Sequence, residues 1–201
     1  MKNSQGGFTL VEIAIVLVII GLLLGGVLKG QELITQAKIK NVANDLNGMS
    51  AAVYGYQDRF KKFPGDDNLA AGRWAGTVDG DGNGAVGDAA LKAVIDCSVA
   101  GNAGKENCLF WQHLRLAGFI SGDTTTVLAP QNAGGGLLAA MNGALGLSGL
   151  TICSSGLLGK IAGSIDAQFD DGKPGTGQVR ATDNPAALDT KLAAEKTRSA
   201  R

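Results

Sequence analysis

The sequence predicts an α+β chain: one long N-terminal helix followed by a small head of short helices and strands. Three observations carry this reading. Residues 8–28 form a near-continuous apolar run in which Glu12 is the only charge. From Ile39 to Phe60 the apolar residues recur at alternating steps of three and four, the helical period. Beyond Pro64, glycine-rich and Asp/Asn-rich turns break the chain into short pieces. The 201 residues include 31 glycines but only two Trp, two Tyr and six Phe, which suits a small, loop-rich head better than a large enzyme core. Formal net charge is zero, with 18 basic and 18 acidic residues, and no basic patch marks a nucleic-acid partner. One histidine and three cysteines leave few parts for metal or triad catalysis, so no enzyme activity is expected.

The first helix begins as a membrane segment. The 21 residues from Phe8 to Leu28 are long enough to cross the ~30 Å hydrocarbon layer at ~1.5 Å per residue. A cleaved secretory signal fits poorly, because the apolar run is too long and no A-x-A-like site follows it. Flanking charge does not decide orientation: Lys2 precedes the span, whereas Lys29, Lys38 and Lys40 follow it. Glu12 is costly in lipid unless paired, and an amine exposed by a cut between Gly7 and Phe8 would lie one helical turn before it. Pairing of Glu12 with that amine on a neighbouring copy would set the register between subunits.

The second half of the helix, residues 29–63, is amphipathic. Ile39, Val42, Leu46, Met49, Val53, Tyr56 and Phe60 share one face. Lys38, Lys40, Asn44, Asp45, Asn47, Asp58 and Arg59 occupy the others. At about three heptads the stripe suits packing against a sheet better than a sustained coiled coil. Pro64 stops the helix, and FPGDDN reads as a turn.

In the head, residues 64–181, the segment TVDGDGNGAVGD places Asp79, Asp81 and Asn83 at the first, third and fifth positions of a calcium-loop pattern, with Gly84 at the sixth. The twelfth position is Ala90, so the closing ligand must be Asp88 or a carboxylate from elsewhere, such as Asp66, Asp67, Asp170 or Asp171. An ion-free Asp/Gly turn is the competing reading. Cys97 and Cys108 flank a short loop, and an oxidising compartment would favour their bridge, worth ~3 kcal/mol in the chain-entropy model. With Cys153 present, three pairings are open.

Leu109, Phe110, His113, Leu114 and Ala117 predict a helix capped by Gly118, with His113 as a packed or capping residue rather than a catalyst. Strands are expected near Ala144–Leu147 and Leu150–Cys153. Leu158, Ile161, Ile165 and Phe169 predict a last helix ending at Asp170, Asp171 and Gly172, followed by a turn and short strand in KPGTGQVRA. Asp166, Asp170 and Asp171 read as turn carboxylates with some capacity for a cation. Residues 182–201 are polar and charge-mixed, the pattern of a flexible tail.

The stretch GGFTLVEIAIVLVIIG resembles the prepilin cleavage motif of type IV pilins and type II secretion pseudopilins. The match runs without a gap through Gly7, Phe8, Thr9, Leu10, Val11 and Glu12. The segments FWQHLRLAGFI and ID…DDG show a softer likeness to pilin-like heads. The resemblance implies a leader of residues 1–7 removed after Gly7 by a prepilin peptidase, methylation of the Phe8 amine, and polymerisation through the helix of residues 8–28. It implies a pilin-like fold in which the amphipathic half packs on a small antiparallel sheet with additional short helices. It also implies a structural role in a type IV pilus-like filament or, alternatively, in a type II secretion pseudopilus. A membrane-anchored binding domain that never polymerises is the third possibility. The implied partners are related pilin subunits, an assembly platform and, before assembly, inner-membrane lipid, with the head periplasmic and the filament at the surface or in the periplasm. Calcium is the one cofactor implied, since major pseudopilins carry it in the head. A helix-kinking proline, frequent late in the span of type IV pilins, has no counterpart here.

Overall fold

The computed structural model describes residues 9–87 and 95–183. The chain divides into two compact units, Met1–Lys38 and Ile39–Arg201. Helix α1 (Leu10–Phe60, 51 residues) starts in the first unit and continues into the second. The first unit has no core of its own: every side chain from Leu10 to Leu28 is exposed. Such a surface is unstable in water and stable in hydrocarbon, where the helix satisfies its own backbone hydrogen bonds. Among the described residues, α1 is the one helix long and apolar enough to cross a membrane.

In the second unit α1 behaves as a soluble helix. Val42, Val53 and Tyr56 are buried at the expected stripe positions, and Ala43 and Ala52 widen that stripe. The helix ends at Phe60, three residues earlier than expected. Lys61 takes a left-handed backbone (φ 57°), and its N–H closes on the Gln57 carbonyl at 2.8 Å. Pro64 then prevents any continuation.

The head is α+β. A short α2 (Ala70–Arg73) precedes α3 (Glu106–Leu116), strands β1 (Leu138–Asn142) and β2 (Leu150–Ser154), and α4 (Gly159–Phe169). Strands β1 and β2 form an antiparallel pair, with Leu138 opposite Ser154, Ala140 opposite Ile152 and Asn142 opposite Leu150. The main core joins Val53 and Tyr56 of α1, Phe110, Trp111 and Leu114 of α3, and Leu138 and Ala140 of β1. A second cluster packs Val42 of α1 against Ile161 and Ile165 of α4. Leu158 and Phe169, the outer members of the α4 stripe, are exposed.

Helix α3 is more enclosed than an amphipathic helix: all residues from Asn107 to Arg115 are buried. Its polar side chains reach loop backbone. Gln112 donates to the Gly76 and Thr124 carbonyls (both 3.2 Å), and Arg115 donates to those of Thr126 (3.0 Å) and Leu128 (2.6 Å). Buried polar groups are tolerable on these terms.

Two expected strands are corrected. Residues Ala144–Gly146 form a 3₁₀ turn, because Leu145 (φ 52°) and the flanking Gly143 and Gly146 (both φ 76°) take left-handed conformations that no strand contains. The first strand lies earlier, at Leu138–Asn142. KPGTGQVRA forms turns without a strand.

Candidate assembly site and the carboxylate clusters of the head

Glu12 sits in the first turn of α1, and Thr9 precedes that helix. The Glu12 Oε2 accepts from the Thr9 N–H and from the Thr9 hydroxyl, both at 2.8 Å, while the Glu12 N–H donates to Thr9 Oγ1 at 3.3 Å. This reciprocal pair is a capping box, in which two otherwise unsatisfied helix-start amides find acceptors. The T-x-x-E spacing in the sequence is the mark of such a helix start. Both contacts fall on Oε2, and Oε1 takes none among the described residues. Gly7 and Phe8, the expected processing positions, lie outside the described residues.

In the head, the loop of residues 77–87 lies against the turn that follows α1. Gly80 makes this possible: a Cβ there would overlap the Gly65 carbonyl and the Asp66 backbone, and the Gly80 N–H donates to the Asp67 carbonyl at 3.0 Å. The loop is also tied to β1, since the Val86 N–H donates to Asn142 Oδ1 and the Asn142 N–H to the Val86 carbonyl, both at 3.0 Å.

The four positions of the calcium-loop pattern fare differently. Asp79 Oδ1 accepts from the Ala71 N–H at 2.8 Å. Asn83 turns its amide nitrogen to Asp81 Oδ2 at 2.7 Å and its oxygen to the Ala85 N–H at 2.8 Å. Asp88 lies outside the described residues. Asp81 instead gathers with Asp66 and Glu106, one oxygen of each lying within 4.8 Å of the others.

Glu106 accepts from the Asp81 and Gly87 N–H groups, both at 2.9 Å, and Asp66 Oδ2 from the Gly84 N–H at 2.9 Å. Asp66 is 1% exposed, and its Oδ1 has no partner. Burial and the neighbouring Asp81 charge raise the Asp66 carboxyl above its usual range; burial does the same to Glu106. The Asn83 backbone N–H holds Asp81 below that range. Tertiary structure assembles this group, because Asp66 and Glu106 lie far from Asp81 in the chain.

A second cluster joins Asp166, Asp170 and Asp171 at the end of α4. Beside the first cluster, Asp67 is buried and accepts from the Tyr56 hydroxyl at 2.7 Å, from the Leu69 N–H at 3.0 Å and from Arg73.

His113 is fully buried. Its Nδ1 accepts from the Gly65 N–H at 3.0 Å, and its Nε2 donates to the Val78 carbonyl at 3.1 Å. These partners select the neutral ring, and burial pushes its pKa down to about 4. Cys97 and Cys108 form a disulfide, whereas Cys153 is a free thiol whose pKa burial pushes up to about 11.

Comparison with protein families matches residues 2–28 to the prokaryotic N-terminal methylation motif. No curated protein and no solved structure matches the chain. The matched residues take in Gly7, Phe8, the Thr9–Glu12 capping box and the fully exposed apolar half of α1. Together with the pilin-like α+β fold, residues 2–28 identify the chain as a bearer of the prepilin signal of type IV pilins and pseudopilins.

Proposed function

We propose that the chain is a structural, non-enzymatic subunit of a type IV pilus-like filament. A prepilin peptidase cleaves after Gly7, the new Phe8 amine is methylated, and an assembly platform draws the subunit from the inner membrane into the polymer. There the apolar half of α1 packs against the same half of related subunits. The methylation motif at residues 2–28 is the observation that carries this reading. The exposed apolar surface from Leu10 to Leu28 supports it, since lipid and a filament core are two solvents that would each cover that surface.

Glu12 pairs with the Phe8 amine of a neighbour. Its Oε2 is already engaged with Thr9, and Oε1 is the oxygen directed to the neighbour's cation. A buried carboxylate is stable chiefly when paired in this way. The head also takes calcium at the loop of residues 79–88, with Asp81, Asp66 and Glu106 as the carboxylates nearest to forming a ligand set. The buried, unpartnered Asp66 Oδ1 favours an ion there.

The test is intact-mass measurement of the native chain, together with Glu12→Gln in cells. Loss of residues 1–7 and gain of one methyl group is expected. Glu12→Gln preserves an acceptor for the Thr9 N–H but removes the charge, so filaments should vanish while the membrane-inserted subunit persists. A retained leader, or filaments as abundant as wild type from Glu12→Gln, sinks the proposal. Subunits in surface fibres support the pilus reading; subunits confined to the periplasm replace it with a secretion pseudopilus.

A further inference from the structure

The sequence holds three Asn-Gly pairs, at residues 47–48, 83–84 and 142–143. Asparagine before glycine is open to self-modification, because a backbone nitrogen with no Cβ beside it can close on the side-chain amide carbon. The fold treats the three pairs differently. Asn47 and Gly48 lie within α1, where side chains tilt towards the helix start and away from the following nitrogen. Asn142 ends β1; its Oδ1 accepts from the Val86 N–H, and the Gly143 N–H donates to the Gly149 carbonyl, both at 3.0 Å. A carbonyl accepts such a hydrogen bond but does not take the proton.

Asn83 and Gly84 are exposed on the loop of residues 77–87. Gly84 has φ 85°, and the space where a Cβ would stand is open. Its N–H donates to Asp66 Oδ2 at 2.9 Å, so the nitrogen faces a carboxylate, a group that can receive its proton. Asn83 Oδ1 accepts from the Ala85 N–H at 2.8 Å, and the ring closed by that bond contains both Asn83 Cγ and the Gly84 nitrogen. The same Ala85 N–H is placed to hold negative charge developing on Oδ1. Nucleophile, base and oxyanion donor thus surround one amide carbon. Asp66 comes from the turn after α1, so only the folded head supplies it.

We propose that Asn83 is a self-modifying site, at which the folded loop converts the side-chain amide to a carboxylate. The Gly84 N–H proton passes to Asp66 Oδ2, the nitrogen pair bonds Asn83 Cγ, and the carbonyl π pair moves onto Oδ1. Collapse restores the carbonyl and breaks the Cγ–Nδ2 bond; Nδ2 takes the proton from Asp66 and leaves as ammonia. Water then opens the resulting succinimide at either carbonyl, leaving aspartate or isoaspartate in place of Asn83. Nothing is oxidised or reduced. In the unmodified chain Asn83 Nδ2 donates to Asp81 Oδ2 at 2.7 Å, so the product exchanges a donor beside Asp81 for a like charge. The step needs neither an ion nor a second copy of the chain.

Peptide mass measurement tests the proposal, on the full chain aged in detergent at pH 7 with a chelator and on the same chain unfolded in guanidinium. Loss of ammonia and gain of water add one mass unit, and isoaspartate at position 83 marks the cyclic route. Native Asn83 should convert about 100-fold faster than unfolded Asn83, the lower range for a positioned base, and faster than native Asn47 or Asn142. Asp66→Asn, where it folds, should lose most of that acceleration. The proposal is overturned if native Asn83 converts no faster than unfolded Asn83, as when the loop's hydrogen bonds merely lock the amide. It is overturned equally if Asn47 or Asn142 leads in the native chain, or if folded Asp66→Asn ages like wild type.

Discussion

The two ends of α1 share one backbone conformation and little else. From Leu10 to Leu28 every side chain is exposed and apolar except Glu12, whereas from Val42 to Tyr56 a stripe is buried and the exposed residues are mostly polar, Tyr54 apart. Secondary structure therefore says nothing about which solvent a helix is made for; the distribution of apolar residues around it does. Along the first stretch, helix-start capping by Thr9 and Glu12 is the only side-chain structure, and stability must come from an external medium. Along the second, the medium is the head itself.

The comparison is broken most completely at Glu12. Glu12→Leu makes the first stretch uniformly apolar, removing both the capping box and the charge. We expect membrane insertion to be unchanged and filaments to fall below detection by electron microscopy of cells.

Truncation in each half sharpens the contrast next. Tyr56→Ala should lower head stability by about 3–5 kcal/mol, the usual cost of deleting a core aromatic. Leu17→Ala should leave head unfolding in denaturant unchanged, because Leu17 belongs to no core. Equal losses from the two would erase the distinction.

A third test concerns pH. The folded pKa of His113, about 4, lies below its ordinary 6.5, so between those values the unfolded chain binds the extra proton. Stability is then present above pH 6.5 and lost as pH falls towards 4, by on the order of 3 kcal/mol. Carboxyl groups titrate in the same range, so the readout is a difference. His113→Gln, which can accept from Gly65 and donate to Val78, should show a pH-dependent loss smaller by that amount in urea unfolding at pH 7 and 4.5.

The smallest effect expected is at the Tyr56 hydroxyl. Tyr56→Phe leaves Asp67 its Leu69 and Arg73 donors and removes the third, at a cost of about 1–3 kcal/mol in the same assay.

Much of this molecule was legible in its sequence because periodicity is a local property. The α1 stripe, α3 and α4 follow from their three-and-four spacing, and the disulfide joins the two cysteines that flank one short loop. The strands were harder. β1 reads Leu-Ala-Ala-Met-Asn, with neither β-branched nor aromatic residues to mark it, and the neighbouring turn depends on a left-handed Leu145 that composition does not announce.

The carboxylate clusters were legible only in part. Asp170 follows Asp166 by one helical turn, so their proximity could be read, but Asp166's burial is a property of the packed head. Asp81, Asp66 and Glu106 meet only after three segments have folded together. The helix-start role of Glu12 was written in T-x-x-E and overshadowed by the longer motif that contains it.

The bond from Thr9 to Glu12 carries a consequence for how copies meet. A free glutamate samples many rotamers, and docking must freeze them; here the carboxylate is held by its own chain beforehand. Under the proposed pairing, the carboxylate that receives the amine is oriented before the copies meet, and docking freezes fewer rotamers.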